Sequence, residues 1–213
     1  MKRSTHWIGT VGAVALASAP TLAAAAPVGT AANSDISNSV TVSYNVGGVA
    51  QTPITSAADV FKVDRKIDVV VTTQDTSAVV VTPGQTSAVT TVRVTNNSNA
   101  TIDFLLAATQ QSGGTAKFTG NDTTDVSNVR VYVETNGTAG WQAGDTQSTS
   151  LAAVASGDAV TVYVVSDVPV AAAQAAQASV IMTATAASGV TATTGYAGTG
   201  GSAISQTPIG TAN

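Results

Sequence analysis

The sequence has no cysteine and a single histidine, His6. Without thiols there is no disulfide, no thiolate nucleophile and no cysteine to carry a lipid at the N-terminus. His6 falls in a stretch read below as a removable leader, so the working chain has neither His nor Cys for acid–base or metal chemistry. Charge is also scarce, with 9% of residues being Asp, Glu, Lys or Arg. Aromatic residues make up 4%, so both large core fillers and platforms for sugar rings are few. The apolar share is mostly Val and Ala. A core made from these must gather many small β-branched contacts.

The N-terminus follows the pattern of an export signal. Lys2 and Arg3 form a basic start, Trp7 to Leu22 is uncharged and mostly apolar, and Ala23 to Ala26 supplies small residues for cleavage. Residues 1–25 are therefore expected to be a signal peptide cut after Ala24 or Ala25, since Pro27 should not directly follow the cut. Pro20 and the small residues after it make a poor spanning helix. The expected location is outside the cytoplasm, as an extracellular, cell-surface or periplasmic protein with no membrane span after cleavage. Losing Lys2 and Arg3 leaves six basic residues against twelve acidic ones. An acidic surface without a basic stripe repels phosphate backbones, so nucleic acid is not an expected partner.

The clearest positive signal is the stretch from Ala88 to Ala108. Ala88, Thr90, Val92 and Val94 repeat every second residue, and so do Ile102, Phe104, Leu106 and Ala108. That period belongs to strands with one buried face. Asn96-Asn97-Ser98-Asn99 between them is turn chemistry, and the whole predicts a β-hairpin.

Segment 26–66 reads as a leader followed by an N-terminal β-hairpin. Pro27 to Asp35 is small and polar, a flexible lead. Val40, Val42, Tyr44 and Val46 then alternate with polar residues. Gly47-Gly48 suits a type I′ turn. Val49 to Thr52 starts the return, Pro53 ends it or confines it to an edge, and Asp59 to Val63 is a further strand. This hairpin either opens the main sandwich or docks on it.

Segment 67–188 is the main body. Ile67 to Val71, Val79 to Val81, Val129 to Val133, Leu151 to Val154, Val160 to Val164 and Val180 to Ala184 read as strands beside the central pair. Pro83-Gly84 and Ser156-Gly157-Asp158 punctuate them. Ala171 to Ala178 has helical propensity over about two turns. Seven or more short strands with turn signals predict an antiparallel β-sandwich of immunoglobulin type. Residues 189–213 form a Gly/Thr/Ala-rich tail, expected to be loose or a weak edge strand. Gln51-Thr52-Pro53-Ile54 recurs there as Gln206-Thr207-Pro208-Ile209, and Pro27 to Ala31 echoes Pro208 to Ala212. Equivalent edge segments at the two ends would suit head-to-tail stacking.

Val81-Thr82-Pro83-Gly84-Gln85-Thr86 leading into Val92-Arg93-Val94-Thr95-Asn96, with Val131 to Gly137 ahead of Ser156 to Val162, resembles a known family. It is the immunoglobulin-like "conserved repeat" module of bacterial surface proteins. Ile36 to Val63 similarly resembles the "Ser-Asn-Ser-Val-Thr-Val-Ser-Tyr" openings that precede such modules. The resemblance implies a sandwich and an exported structural or adhesive role. Longer relatives carry several modules and an anchor, neither of which is seen here.

Candidate chemistry centres on the loop Glu134 to Asp145. Calcium takes six to eight oxygens from a flexible loop with a glycine to let it curl. Related modules resemble an Asp-x-Asn-Gly-Asp-Gly pattern at this place. Here Glu134 stands for the first Asp, a Thr stands where the second should be, and an extra residue precedes the next Gly. Glu134, Asn136 and Asp145 are the candidate ligands for a possible Ca2+, with Asp122 and Asp125 as possible neighbours. No other cofactor is implied. Trp141 is the candidate platform for a surface polysaccharide, aided by Tyr132 and Tyr163 at outward strand positions, or else a packing residue.

No hydrolase set stands out. Asp64 and Asp68 flank Arg65 and Lys66 as a solvated strand junction, and no Ser-x-x-Lys spacing is evident. The chain is thus expected to be a non-enzymatic, exported structural or adhesive module. It would bind a protein partner or copies of itself through edge strands. The alternative is a calcium- or polysaccharide-binding module using the 134–145 loop.

Overall fold

A computed structural model describes residues 28–187 and the strand 202–211; the expected signal peptide lies outside the described residues. The strands in chain order are β1 (Asp35–Asn38), β2 (Thr41–Val42), β3 (Asn45–Val46), β4 (Val49–Ala50), β5 (Ile54–Thr55), β6 (Asp59–Lys62), β7 (Val69–Thr73), β8 (Ala88–Asn96), β9 (Ile102–Gln110), β10 (Ser127–Val133), β11 (Thr146–Gln147), β12 (Ser150–Val154), β13 (Ala159–Asp167), β14 (Gln177–Ala187) and β15 (Ser202–Thr211). No helix occurs among the described residues, so none there is long and apolar enough to cross a membrane.

The body is two antiparallel sheets, in the orders β11-β10-β13-β8-β7 and β12-β9-β14-β15. Alternation along β8 and β9 buries Val92 and Val94 from one sheet, and Ile102 and Phe104 from the other. With Val162, Val164, Val180 and Met182 they make a single buried cluster between the layers, so the architecture is sandwich-like. Burial of a Val or Phe side chain contributes about 1.5–3 kcal/mol, and this core is the sum of many such terms.

The strands β8 and β9 form where alternation places them, but they do not pair with each other. β8 pairs with β7 and β13, whereas β9 pairs with β12 and β14. The expected central hairpin is instead an arch that carries the chain from one sheet to the other. Two adjacent strands that each need one buried face satisfy both by facing across the core. The crossing is held by Asn96, which is fully buried. Its Nδ2 donates to the carbonyls of Val154 (2.8 Å), Ala100 (2.9 Å) and Ala155 (3.2 Å), while its Oδ1 accepts the Ser98 N–H at 2.9 Å.

Residues 35–62 fold back on themselves rather than entering either sheet. β1 pairs with β6, β2 with β5 and β3 with β4, making one arm closed by Gly47 and Gly48 at φ 58° and 84°. Two positive φ values fit the expected type I′ turn. The partner sums drop from Asn38↔Asp59 to Thr41↔Thr55 and again to Asn45↔Ala50, so the return strand carries two one-residue bulges.

The lead from Val28 to Asp35, expected to be flexible, is tied to the body. Val28 N–H donates to Ser156 Oγ, Thr30 O accepts Asn99 Nδ2, and Ala32 N–H donates to Asn99 O. The Ala171–Ala178 stretch is not helical. It makes two turns, Ala172 N–H to Pro169 O and Ala176 N–H to Ala173 O, before joining β14. A segment of about two turns is too short to nucleate a helix on its local preference alone.

Asn96→Ala removes the amide donor from the carbonyls of Val154, Ala100 and Ala155, of which the last keeps the Asp158 N–H, and the acceptor of the Ser98 N–H, so a loss of about 2–4 kcal/mol in unfolding free energy is expected. Asn97→Ala, whose side chain is only half-buried, is expected to cost under about 0.5 kcal/mol. Urea midpoints for the two variants check the contrast.

Candidate functional site

Two places stand out, the 134–145 loop and the arm. The loop follows β10 directly, so Glu134 starts from a fixed strand end. Its Oε1 accepts the N–H groups of Asn136 and Gly137, both at 2.9 Å. Its Oε2 accepts the Tyr163 hydroxyl at 2.7 Å, and that hydroxyl oxygen in turn accepts the Gly140 N–H at 3.1 Å. Asp145 Oδ1 accepts Asn136 Nδ2 at 2.9 Å and Asp145 Oδ2 accepts the Gln142 N–H at 2.8 Å.

The three candidate ligands Glu134, Asn136 and Asp145 are thus brought together, with Asp145 turned to the loop's own donors and Glu134 shared between the loop and Tyr163 of β13. Asp122 is used elsewhere, accepting the N–H groups of Gly113 and Ser179. No group of three or more His, Cys, Asp or Glu among the described residues is arranged to hold a metal. Chemically, this is a loop folded around two acceptors.

Trp141 packs edge-on against Tyr132, with ring centroids 5.5 Å apart and planes at 69°. Half-buried, it lies against its neighbour rather than standing clear as a platform. Tyr163, expected at an outward position, is 2% exposed. β13 is buried on both faces from Val162 to Ser166 because the loop folds over its outer side. Sequence alternation missed this, since a strand covered on its second face by a loop still alternates Val with Thr and Tyr.

The hydroxyl of Tyr163 holds the Glu134 carboxyl below the usual carboxylate range, helped by the loop N–H groups. Burial, reinforced by the facing carboxylate, pushes the Tyr163 phenol up to about 12.

The arm offers a different chemistry. Pairing puts Ile36 beside Phe61, Val42 beside Ile54 and Val46 beside Val49, and the unbroken alternation of the outgoing strand adds Val40 and Tyr44 to the same face. Apart from the half-buried Ile36, these side chains are between 44% and 66% exposed. The opposite face carries Ser37, Thr41, Ser43 and Thr55 together with the exposed Val60, with Lys62 and Asp35 paired at its base. Sequence reasoning found these strands but not that their apolar face stays open, because alternation looks the same whether or not something covers it. No protein-family model matches the chain, and no curated protein sequence matches it.

The pair Glu134–Tyr163 predicts an alkaline signature. The folded state keeps the phenol protonated above pH 10, where an unfolded tyrosine ionises. Its stabilisation is therefore whole below pH 10 and is lost as pH rises toward 12. The melting temperature should fall across that window, and Tyr163→Phe should be less stable at neutral pH yet show a shallower alkaline fall. Equal slopes in the two proteins count against the assignment.

Proposed function

We propose that the chain is an exported, non-enzymatic structural or adhesive module of the bacterial surface, assembled through its arm. The observation that carries this reading is the uncovered apolar face from Val40 to Phe61. Soluble proteins seldom leave a contiguous apolar surface open unless something binds there. A lone two-stranded ribbon is also marginal in water and gains stability when a third layer covers it.

An immunoglobulin-like body is part of the proposal. Setting aside the two-residue β11 and the edge strand β12, seven body strands are left, and of these the first, second, fifth and fourth (β7, β8, β13, β10) lie side by side. The third, sixth and seventh (β9, β14, β15) form the other sheet. With β11 and β12 as additional edge strands, this order supports an immunoglobulin-like reading, in keeping with the resemblance to surface-protein repeat modules. The basic start, apolar stretch and small residues of 1–25 support export.

Light scattering on the chain from Ala26 onward tests the assembly. The parent is expected to grow in mass with concentration, whereas a Val42→Lys, Ile54→Lys double variant with an unchanged body is expected to stay monomeric. A parent that remains monomeric at all concentrations overturns assembly as the function.

A further inference from the structure

The tetrapeptide Gln51-Thr52-Pro53-Ile54 lies on the return side of the arm, and its twin Gln206-Thr207-Pro208-Ile209 lies in β15. β15 pairs along β14 through Ser179↔Pro208, Val180↔Thr207 and Ile181↔Gln206. The backbone of Ser179 is turned toward β9. Its N–H donates to Asp122 Oδ1, and its carbonyl accepts the Gln111 N–H. Ser179 therefore asks nothing of the residue opposite, which is where Pro208, lacking an N–H, sits. By alternation the backbone groups of Val180 face the opposite edge, toward Thr207.

The arm repeats this phase. Gln51 N–H donates inward to Tyr44 O at 2.9 Å, so the backbone groups of Thr52 face the open edge, as those of Thr207 face β14. In both places the ladder also slips by one residue next to the proline, between Ala50 and Ile54 in the arm and between Pro208 and Thr211 in β15. The two segments share sequence and hydrogen-bonding phase, and each has a one-residue slip close to its proline, within Gln51–Ile54 in the arm and after Pro208 in β15.

Resting on the arm-assembly reading, we propose that Gln51–Ile54 of one copy pairs along β14 of a second copy, in the place that Gln206–Ile209 takes within a single chain. The arm keeps its own hairpin while it does so, because Gln51 continues to bond inward and only Thr52 is spent on the neighbour. The contact is head-to-tail, so it extends into a chain of subunits rather than closing on itself.

Having no native cysteine, the full chain from Ala26 allows a direct test. Ile181 and Gln206 are a non-hydrogen-bonded pair, the closer kind in an antiparallel ladder and within disulfide reach. In I181C/Q206C the oxidised form pins β15 onto β14. Assembly is expected to be absent when oxidised and restored by reductant, with both forms giving the same circular dichroism. Mixing the single variants Q51C and I181C should yield a disulfide-linked dimer, in excess over Q51C mixed with T183C. If the locked protein assembles as well as the reduced one, or if Q51C and I181C assemble without forming that mixed disulfide, β14 is not the docking edge. The arm reading survives that result provided Val42→Lys, Ile54→Lys still blocks assembly. A parent that never assembles removes both.

Discussion

The structure depends on a small polar network buried where the chain crosses from one sheet to the other. Asn96, Ser98 and Asn99 are all buried, and each spends its side chain on backbone groups from other segments. Asn96 reaches the β12–β13 connection at Val154 and Ala155. Ser98 Oγ accepts the Asp68 N–H and donates to the Asp68 carbonyl, fixing the start of β7. Asn99 bonds the carbonyls of Thr30 and Asp64 and accepts the Lys66 N–H, clamping both ends of the arm. In a body whose other contacts are mostly Val and Ala, which fit many registers about equally well, these directional bonds select one arrangement. A buried amide left without partners costs more than a mispacked methyl group gains, so alternative crossings are disfavoured.

That clamp also explains how an arm with no core of its own stays attached. The arm is three short ladders separated by bulges, and the strands of its far half pair only with each other. What fixes its direction is the base, where Asn33 N–H bonds Val63 O, Val63 N–H bonds Ser34 O, and Asn99 reaches both strands. Its bonds to the body are thus confined to the base near Asn99, while exposed apolar surface is carried along the length of the arm. A ribbon held at one end and sticky on one face is suited to reach a neighbour and align on it.

Alternation is enough to locate most strands, because a half-buried strand of Val and Thr has few other readings. It is not enough to pair them. β8 and β9 each have one apolar face, and that pattern is equally compatible with a hairpin and with an arch between layers. Asn96 makes the choice, and its value as a buried bridge depends on Val154 and Ala155, distant in sequence. The 134–145 loop is legible as a loop with clustered oxygens, but the partner that organises it, Tyr163, is hidden by lying one strand away. The arm shows the reverse. Its hairpin and its Gly47-Gly48 turn are readable because they are local, whereas its position outside both sheets is not.

The acidic side chains of this chain are used mainly as acceptors for its own backbone. Seven of the twelve acidic residues, Asp64, Asp75, Asp103, Asp122, Glu134, Asp145 and Asp167, accept backbone N–H groups. Each sits where a bulge, turn or strand end leaves an N–H without a ladder partner. Asp167 serves Ser87 N–H while also holding Asn128 and Arg130, and these bonds keep its carboxyl below the usual range. Asp75 accepts Thr91 N–H, yet burial outweighs that bond and raises its pKa. The acidity of the sequence is therefore largely architectural. Most of these carboxylates close the irregularities of an all-β chain, and the apolar arm carries few of them.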